Sequence, residues 1–228
     1  MNSRKSLAMV LAVSLVVLVL PAAVMAASVS AECAYTDTDV VCEVYVDTAS
    51  VELRSGGVRL TYTPGDLTVN SAEINDAAWF FGAGGSDYAT PNAIDTSVPG
   101  IVDLVVGKLD TNAISAGVIG TKVLIGRVTF DRNNNNLPAI AAGLARGGEP
   151  FVSFVNATSG APLDGTTFGT IVAERGDANQ DGDITNVDMG LTRNIILNSG
   201  YSIFADVNGD GMVTNVDMGL VRNKILGL

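Results

Sequence analysis

Two stretches near the C-terminus carry aspartates at a spacing that suits a hard cation. Asp177-Ala-Asn-Gln-Asp-Gly-Asp-Ile-Thr-Asn-Val-Asp188 returns, with few changes, from Asp206 to Asp217, an offset of 29 residues. Over 177–197 and 206–226, 15 of 21 positions are identical, which marks a duplication rather than a bias of composition. A calcium loop of EF-hand type takes oxygen ligands at its first, third, fifth, seventh, ninth and twelfth positions, with glycine at the sixth for the sharp turn. In the first copy these are Asp177, Asn179, Asp181, Asp183, Thr185 and Asp188, with Gly182 at the turn. In the second they are Asp206, Asn208, Asp210, Met212, Thr214 and Asp217, with Gly211. The seventh position donates its backbone carbonyl, so Met212 is no loss there. The expected cofactor is Ca2+, two ions per chain.

Each loop needs an element to hold its twelfth position, and the spacing predicts a helix leaving each loop, from Asp188 to about Leu197 and from Asp217 to about Leu226. Val187, Leu191 and Ile195 fall on one helical face, and Val216, Leu220 and Ile225 nearly repeat it. No helix is expected to enter either loop. The first follows a strand pattern, Thr167 to Val172, and the second follows Asn198 to Ala205, which is short and turn-rich. Ile184 and Val213, at the eighth positions, are expected to bridge the two loops.

On these residues the segment from Asp177 to Leu226 resembles a dockerin of type I, the module that plugs into cohesin domains in polysaccharide-degrading assemblies. The resemblance implies a cohesin-type partner and a docking surface on the tenth and eleventh loop positions and the helices. Here that surface is Asn186, Val187, Arg193 and Asn194, repeated as Asn215, Val216, Arg222 and Asn223. Many dockerins carry a Ser/Thr-type pair where this chain has Asn-Val.

Upstream, residues 32–173 read as an all-β sandwich of jelly-roll type. In Val58-Arg59-Leu60-Thr61-Tyr62 apolar and polar residues alternate with period two, which buries one face. Further strands are expected at Val40 to Val46, Thr68 to Ile74, Ile101 to Val106, Lys122 to Phe130, Phe151 to Val155 and Thr167 to Val172, and a short helix at Ala139 to Ala145. Val58 to Leu67, with Tyr62-Thr-Pro64 where the family has Tyr-Asp-Pro, gives this region a likeness to a cohesin or a related carbohydrate-binding domain. A hairpin centred on Asp37 and Thr38 would set Cys33 opposite Cys42, a disulfide in an exported chain.

Export is expected because Arg4 and Lys5 precede an uncharged run from Leu7 to Leu20 and then small residues, the order of a secretory signal peptide over 1–27. Cleavage is expected after Ala26 or Ala27, with Ala31 as the alternative. Without that segment eleven basic residues face 24 acidic ones, a net charge of −13. Such a chain repels nucleic acid, and no later segment is long and apolar enough for a membrane span. Histidine is absent, which removes the commonest general base. Carboxylates such as Glu43, Glu52, Asp66, Glu73 and Asp76 are scattered, with no motif that would converge two of them for glycoside cleavage. Trp79-Phe80-Phe81 suits the core better than a sugar-stacking site. The expected protein is therefore a multidomain, secreted or cell-surface, non-catalytic assembly protein. It has a signal peptide (1–27), a cohesin-like sandwich (32–173) that binds a dockerin or carbohydrate, and a small all-α dockerin (176–228). The alternative is a carbohydrate-binding or adhesive protein whose dockerin-like module is only a calcium-stabilised cap.

Overall fold

The computed structural model describes residues 26–79, 93–108, 117–145 and 153–228. The expected signal peptide up to residue 25, Phe80, Phe81 and residues 151–152 lie outside the described residues. The elements are β1 (Ser28–Tyr35), β2 (Asp39–Asp47), β3 (Leu53–Tyr62), β4 (Leu67–Ile74), β5 (Ala93–Asp95), β6 (Ile101–Gly107), β7 (Val123–Arg132), β8 (Ile140–Leu144), β9 (Val155–Asn156), β10 (Thr167–Glu174), α1 (Asn186–Leu197) and α2 (Asn215–Leu226). One sheet runs β10-β1-β2-β7-β4 and the other β5-β6-β3-β8, with β9 also on β3. All pairs are antiparallel except β1 with β10, so the first and last strands of the sandwich lie side by side in parallel.

The expected sandwich is observed. The inner faces of both sheets meet in one core, where Val29, Ala31, Val40 and Val44 of the first face Val58, Leu60, Val102 and Leu104 of the second. Burial at this scale, about 1.5–3 kcal/mol per large aliphatic side chain, is what holds the two sheets. The period-two reading of β3 is correct: Val58 and Leu60 are buried, while Arg59 turns outward and donates two hydrogen bonds to Asp103, of 2.8 and 2.7 Å. The β1–β2 hairpin closes at Thr36, whose N–H donates to the Asp39 carbonyl at 2.9 Å and whose hydroxyl donates to the Asp39 carboxylate at 2.6 Å. That turn sets Cys33 directly across from Cys42, and the two form a disulfide with Cα atoms 4.0 Å apart, inside the core.

Three local expectations change. Within Ala139 to Ala145 a strand forms at Ile140–Leu144 in place of the helix: Gly143 weakens a helix, and the open edge of β3 offers Ile140–Leu144 a complete ladder. The sandwich begins with β1 at Ser28 rather than at 32, since β10 and β2 both pair along the whole of 28–35. The helix face is also displaced. Asp188 and Thr192 of α1, and Asp217 and Val221 of α2, are the buried residues, whereas Val187 and Val216 are 58% and 59% exposed. A carboxylate that caps its own helix and closes a loop must point inward, and this rotates the valine before it to solvent.

No linker separates the sandwich from the C-terminal module. β10 ends at Glu174, Gly176 turns the chain at φ +106°, and the first loop starts at Asp177. The connector between α1 and the second loop then folds back onto the outer face of the first sheet. Ala173, Ala34 and Val41 form one row across β10, β1 and β2, and Ile203 and Phe204, 2% and 0% exposed, sit on it. The Gly176 N–H donates to the Phe204 carbonyl at 2.7 Å, and Lys224 of α2 pairs with Glu174 at 2.5 Å.

Candidate metal centre and docking face

The two loops are built alike from the backbone up. Thr185 and Thr214 cap α1 and α2: each hydroxyl accepts the N–H of Val187 or Val216 at 3.2 Å. In return the Asp188 carboxylate accepts the Thr185 N–H at 2.8 Å, and Asp217 accepts that of Thr214 at 2.9 Å. This reciprocal cap satisfies N–H groups that the first turn of a helix leaves unpaired. It also fixes the ninth and twelfth loop positions relative to each other. The other oxygen of Asp188 accepts the Asn179 N–H at 3.0 Å, and that of Asp217 accepts Val207 and Asn208 at 2.9 and 3.2 Å, so the end of each loop is tied to its beginning.

The first positions are held in the same way. Asp177 accepts from Asp181 and Gly182 N–H, at 3.2 and 3.0 Å. Asp206 accepts from Gly209, Asp210 and Gly211 N–H, between 2.9 and 3.1 Å. Gly182 and Gly211 turn at φ +97° and +85°, where a side chain is strained, so glycine at the sixth position is required by the backbone. Asp177, Asp188, Asp206 and Asp217 are 2%, 0%, 3% and 0% exposed. None belongs to the ion pairs found among the described residues. N–H groups occupy only some of a carboxylate's four or so acceptor sites. A buried carboxylate outside any ion pair is costly, and a divalent cation inside the loop would offset that cost.

Among the described residues no three Asp, Glu, His or Cys side chains gather by themselves into a metal cluster. The loops instead could offer a mixed donor set: carboxylates at the first, fifth and twelfth positions, the Asn179 or Asn208 amide oxygen at the third, and the carbonyl of Asp183 or Met212 at the seventh. This hard, all-oxygen set fits calcium rather than zinc. The expected bridge between Ile184 and Val213 is not among the isolated bridges of the described residues. Ile184 packs instead beside Gly176, with its Cδ1 3.2 Å from where a Cβ there would lie.

Residues 175–226 match the family model of the dockerin type I domain. No curated protein matches the chain. Among solved structures the chain is similar to the sixth cohesin of scaffoldin B from Acetivibrio cellulolyticus in complex with a dockerin, at 14% identity, covering 65% of this chain and 98% of that one, TM-score 0.45. It is similar to CaCohA2 from Clostridium acetobutylicum at 13% identity, covering 64% and 85%, TM-score 0.44. A third is the cohesin module of a family 33 glycoside hydrolase from Clostridium perfringens, at 9% identity, covering 64% and 98%, TM-score 0.42.

In the dockerin segment all eight expected docking residues, Asn186, Val187, Arg193, Asn194, Asn215, Val216, Arg222 and Asn223, are exposed. They lie on α1 and α2. Among the described residues no helix is long and apolar enough to cross a membrane.

The sequence missed the groups that join the dockerin segment to the sandwich. Glu43, on the outer face of β2, is 1% exposed and accepts hydrogen bonds from Tyr45 at 2.5 Å, from Arg127, and from Tyr201 of the connector at 3.2 Å. Burial first, then the Glu43 and Asp206 carboxylates, push the Tyr201 phenol well above its ordinary pKa, so it stays a donor. The one signal available in sequence was Ile203-Phe204, an apolar pair in a polar connector. Of the other carboxylates, Asp66 accepts from Asn134 and Asn136 at 2.7 and 2.9 Å, which holds it below the usual range, and Glu73 lies 4.0 Å from Arg127. Trp79 is fully buried and donates its indole N–H to the Leu124 carbonyl at 3.1 Å, so it belongs to the core and not to a sugar platform.

Proposed function

We propose that this is an exported, non-catalytic assembly protein that binds two calcium ions and attaches, through its dockerin segment, to a cohesin-type partner. The observation that carries the reading is the coincidence of a dockerin family match with two loops of calcium-ligand spacing and a doubled, exposed set of Asn, Val and Arg on the helices. The sandwich would receive a dockerin of another chain or a polysaccharide, which makes one chain both plug and socket in an extracellular polysaccharide-degrading assembly. Export over 1–27 agrees with the strand pattern. Cleavage after Ala26 or Ala27 leaves β1 whole, whereas cleavage after Ala31 would remove half of its pairing with β2 and β10.

The test is titration of the chain against a cohesin module with calcium and with a chelator. Micromolar or tighter binding that needs calcium supports the reading; none in either condition overturns it. Purified protein should also release no reducing sugar from common polysaccharides, and turnover lost on a single Asp or Glu substitution would contradict the non-catalytic part. The second reading, a calcium-stabilised cap on a carbohydrate-binding or adhesive sandwich, is favoured by the seating of Ile203 and Phe204 on the sheet. It requires polysaccharide binding by the sandwich with no cohesin binding by the helices.

A further inference from the structure

The groups that join the dockerin segment to the sandwich gather around the second loop. We propose that this loop, Asp206 to Asp217, binds calcium more weakly than the first, and that its filling locks the connector onto the sandwich. The inference rests on the calcium reading above.

The direct side-chain donors of the two loops are the same in kind, so a difference must come from their surroundings. Arg175, the first residue after β10, is 7% exposed, and a Cβ on Gly209 would collide with its guanidinium. It lines a cavity of about 270 Å³ at the junction, together with Asp206 and Asn208. Among the described residues its Nε is buried without a hydrogen-bond partner, and none of the ion pairs includes it. A buried cation is poorly screened, so it opposes a divalent ion nearby far more than a solvated one would. The cation at the start of the first loop, Lys224 beside Gly176, is neutralised by Glu174. The seventh position adds to the contrast: the first loop has the exposed Asp183 carboxylate, and the second has Met212. Calcium affinity follows the charge and rigidity of the site, and both differences disfavour the second loop.

Coupling follows from a shared proton. The Tyr201 hydroxyl lies 3.2 Å from Glu43 on the sandwich and 3.5 Å from Asp206, the first position of the loop. A phenol has one hydrogen to give. Asp206 competes for it while its charge is unengaged, and leaves it to Glu43 once that charge faces a cation. The Asp206 N–H also donates to the Ser202 carbonyl at 3.0 Å, so the loop and the Ile203-Phe204 seat move as one piece. Whatever orders the loop therefore favours the seat, and by reciprocity the seat favours the filled loop.

Calcium titration of the full chain by calorimetry, with hydrogen exchange read by peptide, tests this. The expected result is two binding events whose Kd values differ by about tenfold or more. Asp210→Ala should delete the weaker event, and Arg175→Gln should tighten that event alone. Should Asp210→Ala prevent folding, Met212→Asp serves in its place, again tightening only the weaker event. Amide protection at 171–175 and 201–206 should rise with the second event and not the first. Equal affinities, loss of the tighter event in Asp210→Ala, or protection complete after the first event would overturn the proposal. No calcium binding of any kind would instead remove the calcium reading on which it stands.

Discussion

Phe204→Ala probes how firmly the dockerin segment is fixed to the sandwich. The ring is fully buried, and what lies beneath it is Ala34 and Ala173, two residues in register on adjacent paired strands. Those strands carry hydrogen bonds on both sides or belong to the β1–β10 ladder, so they cannot rise to fill a void. Phe-to-Ala changes in packed sites cost about 3–5 kcal/mol, more where the site cannot collapse, so a loss of about 4 kcal/mol is expected here. The cost should fall on the junction rather than on the sandwich core, because Phe204 touches the outer face of the sheet and not its inner one. In calcium, urea unfolding should change from one transition to two, with amides of 201–206 exchanging early while those of β2 and β7 stay protected. Ala173→Leu, which overpacks the same seat from the sandwich side, should lose about 1–3 kcal/mol. A loss below about 1 kcal/mol for Phe204→Ala, with a single unchanged transition, would refute the reasoning and leave the two modules independent.

Three further outcomes are expected. Chelation should lower the helical circular dichroism and open 186–226 to protease, because the four buried loop carboxylates make no ion pair among the described residues and then repel one another unscreened; an unchanged spectrum and digest would count against this. Replacing both Cys33 and Cys42 by alanine should cost about 2.5 kcal/mol, the loop-entropy value for a separation of 9 residues, and intact exported protein should show no alkylatable thiol. Against a cohesin, Arg193→Ala or Arg222→Ala alone should cost about 0.4 kcal/mol, the twofold loss of one of two equivalent docking orientations. The double variant should cost much more than the sum. If one single variant abolishes binding and the other does nothing, a single orientation is used.

The calcium loops were legible in sequence because their ligands are local. Twelve consecutive residues contain every donor, and the glycine at the sixth position announces the turn that aims them. The Cys33–Cys42 bridge was legible for a similar reason: a tight turn at Thr36 to Asp39 decides which residues face each other. β3 announced its inward face through the alternation of Val58, Leu60 and Tyr62. β8 did not announce itself, because Ile140 to Leu144 has no period of its own and becomes a strand only where the edge of β3 completes its hydrogen bonds.

By itself, then, the sequence determined what short-range geometry can encode: the two ion loops, their capped helices, the hairpin with its disulfide, and the sandwich class. Only the tertiary structure decided where these pieces lie against one another. Nothing in the spelling of Ala34, Ala173 or Glu43 says that they form a seat, since their partners Phe204 and Tyr201 are far away in the chain. Nor could Arg175 be read as a neighbour of the second loop, because its position depends on β10 pairing with β1 and delivering the chain beneath Gly209. Contacts that depend on long-range strand pairing have no local periodicity to betray them, and here those contacts decide how the ion loops are joined to the rest of the molecule.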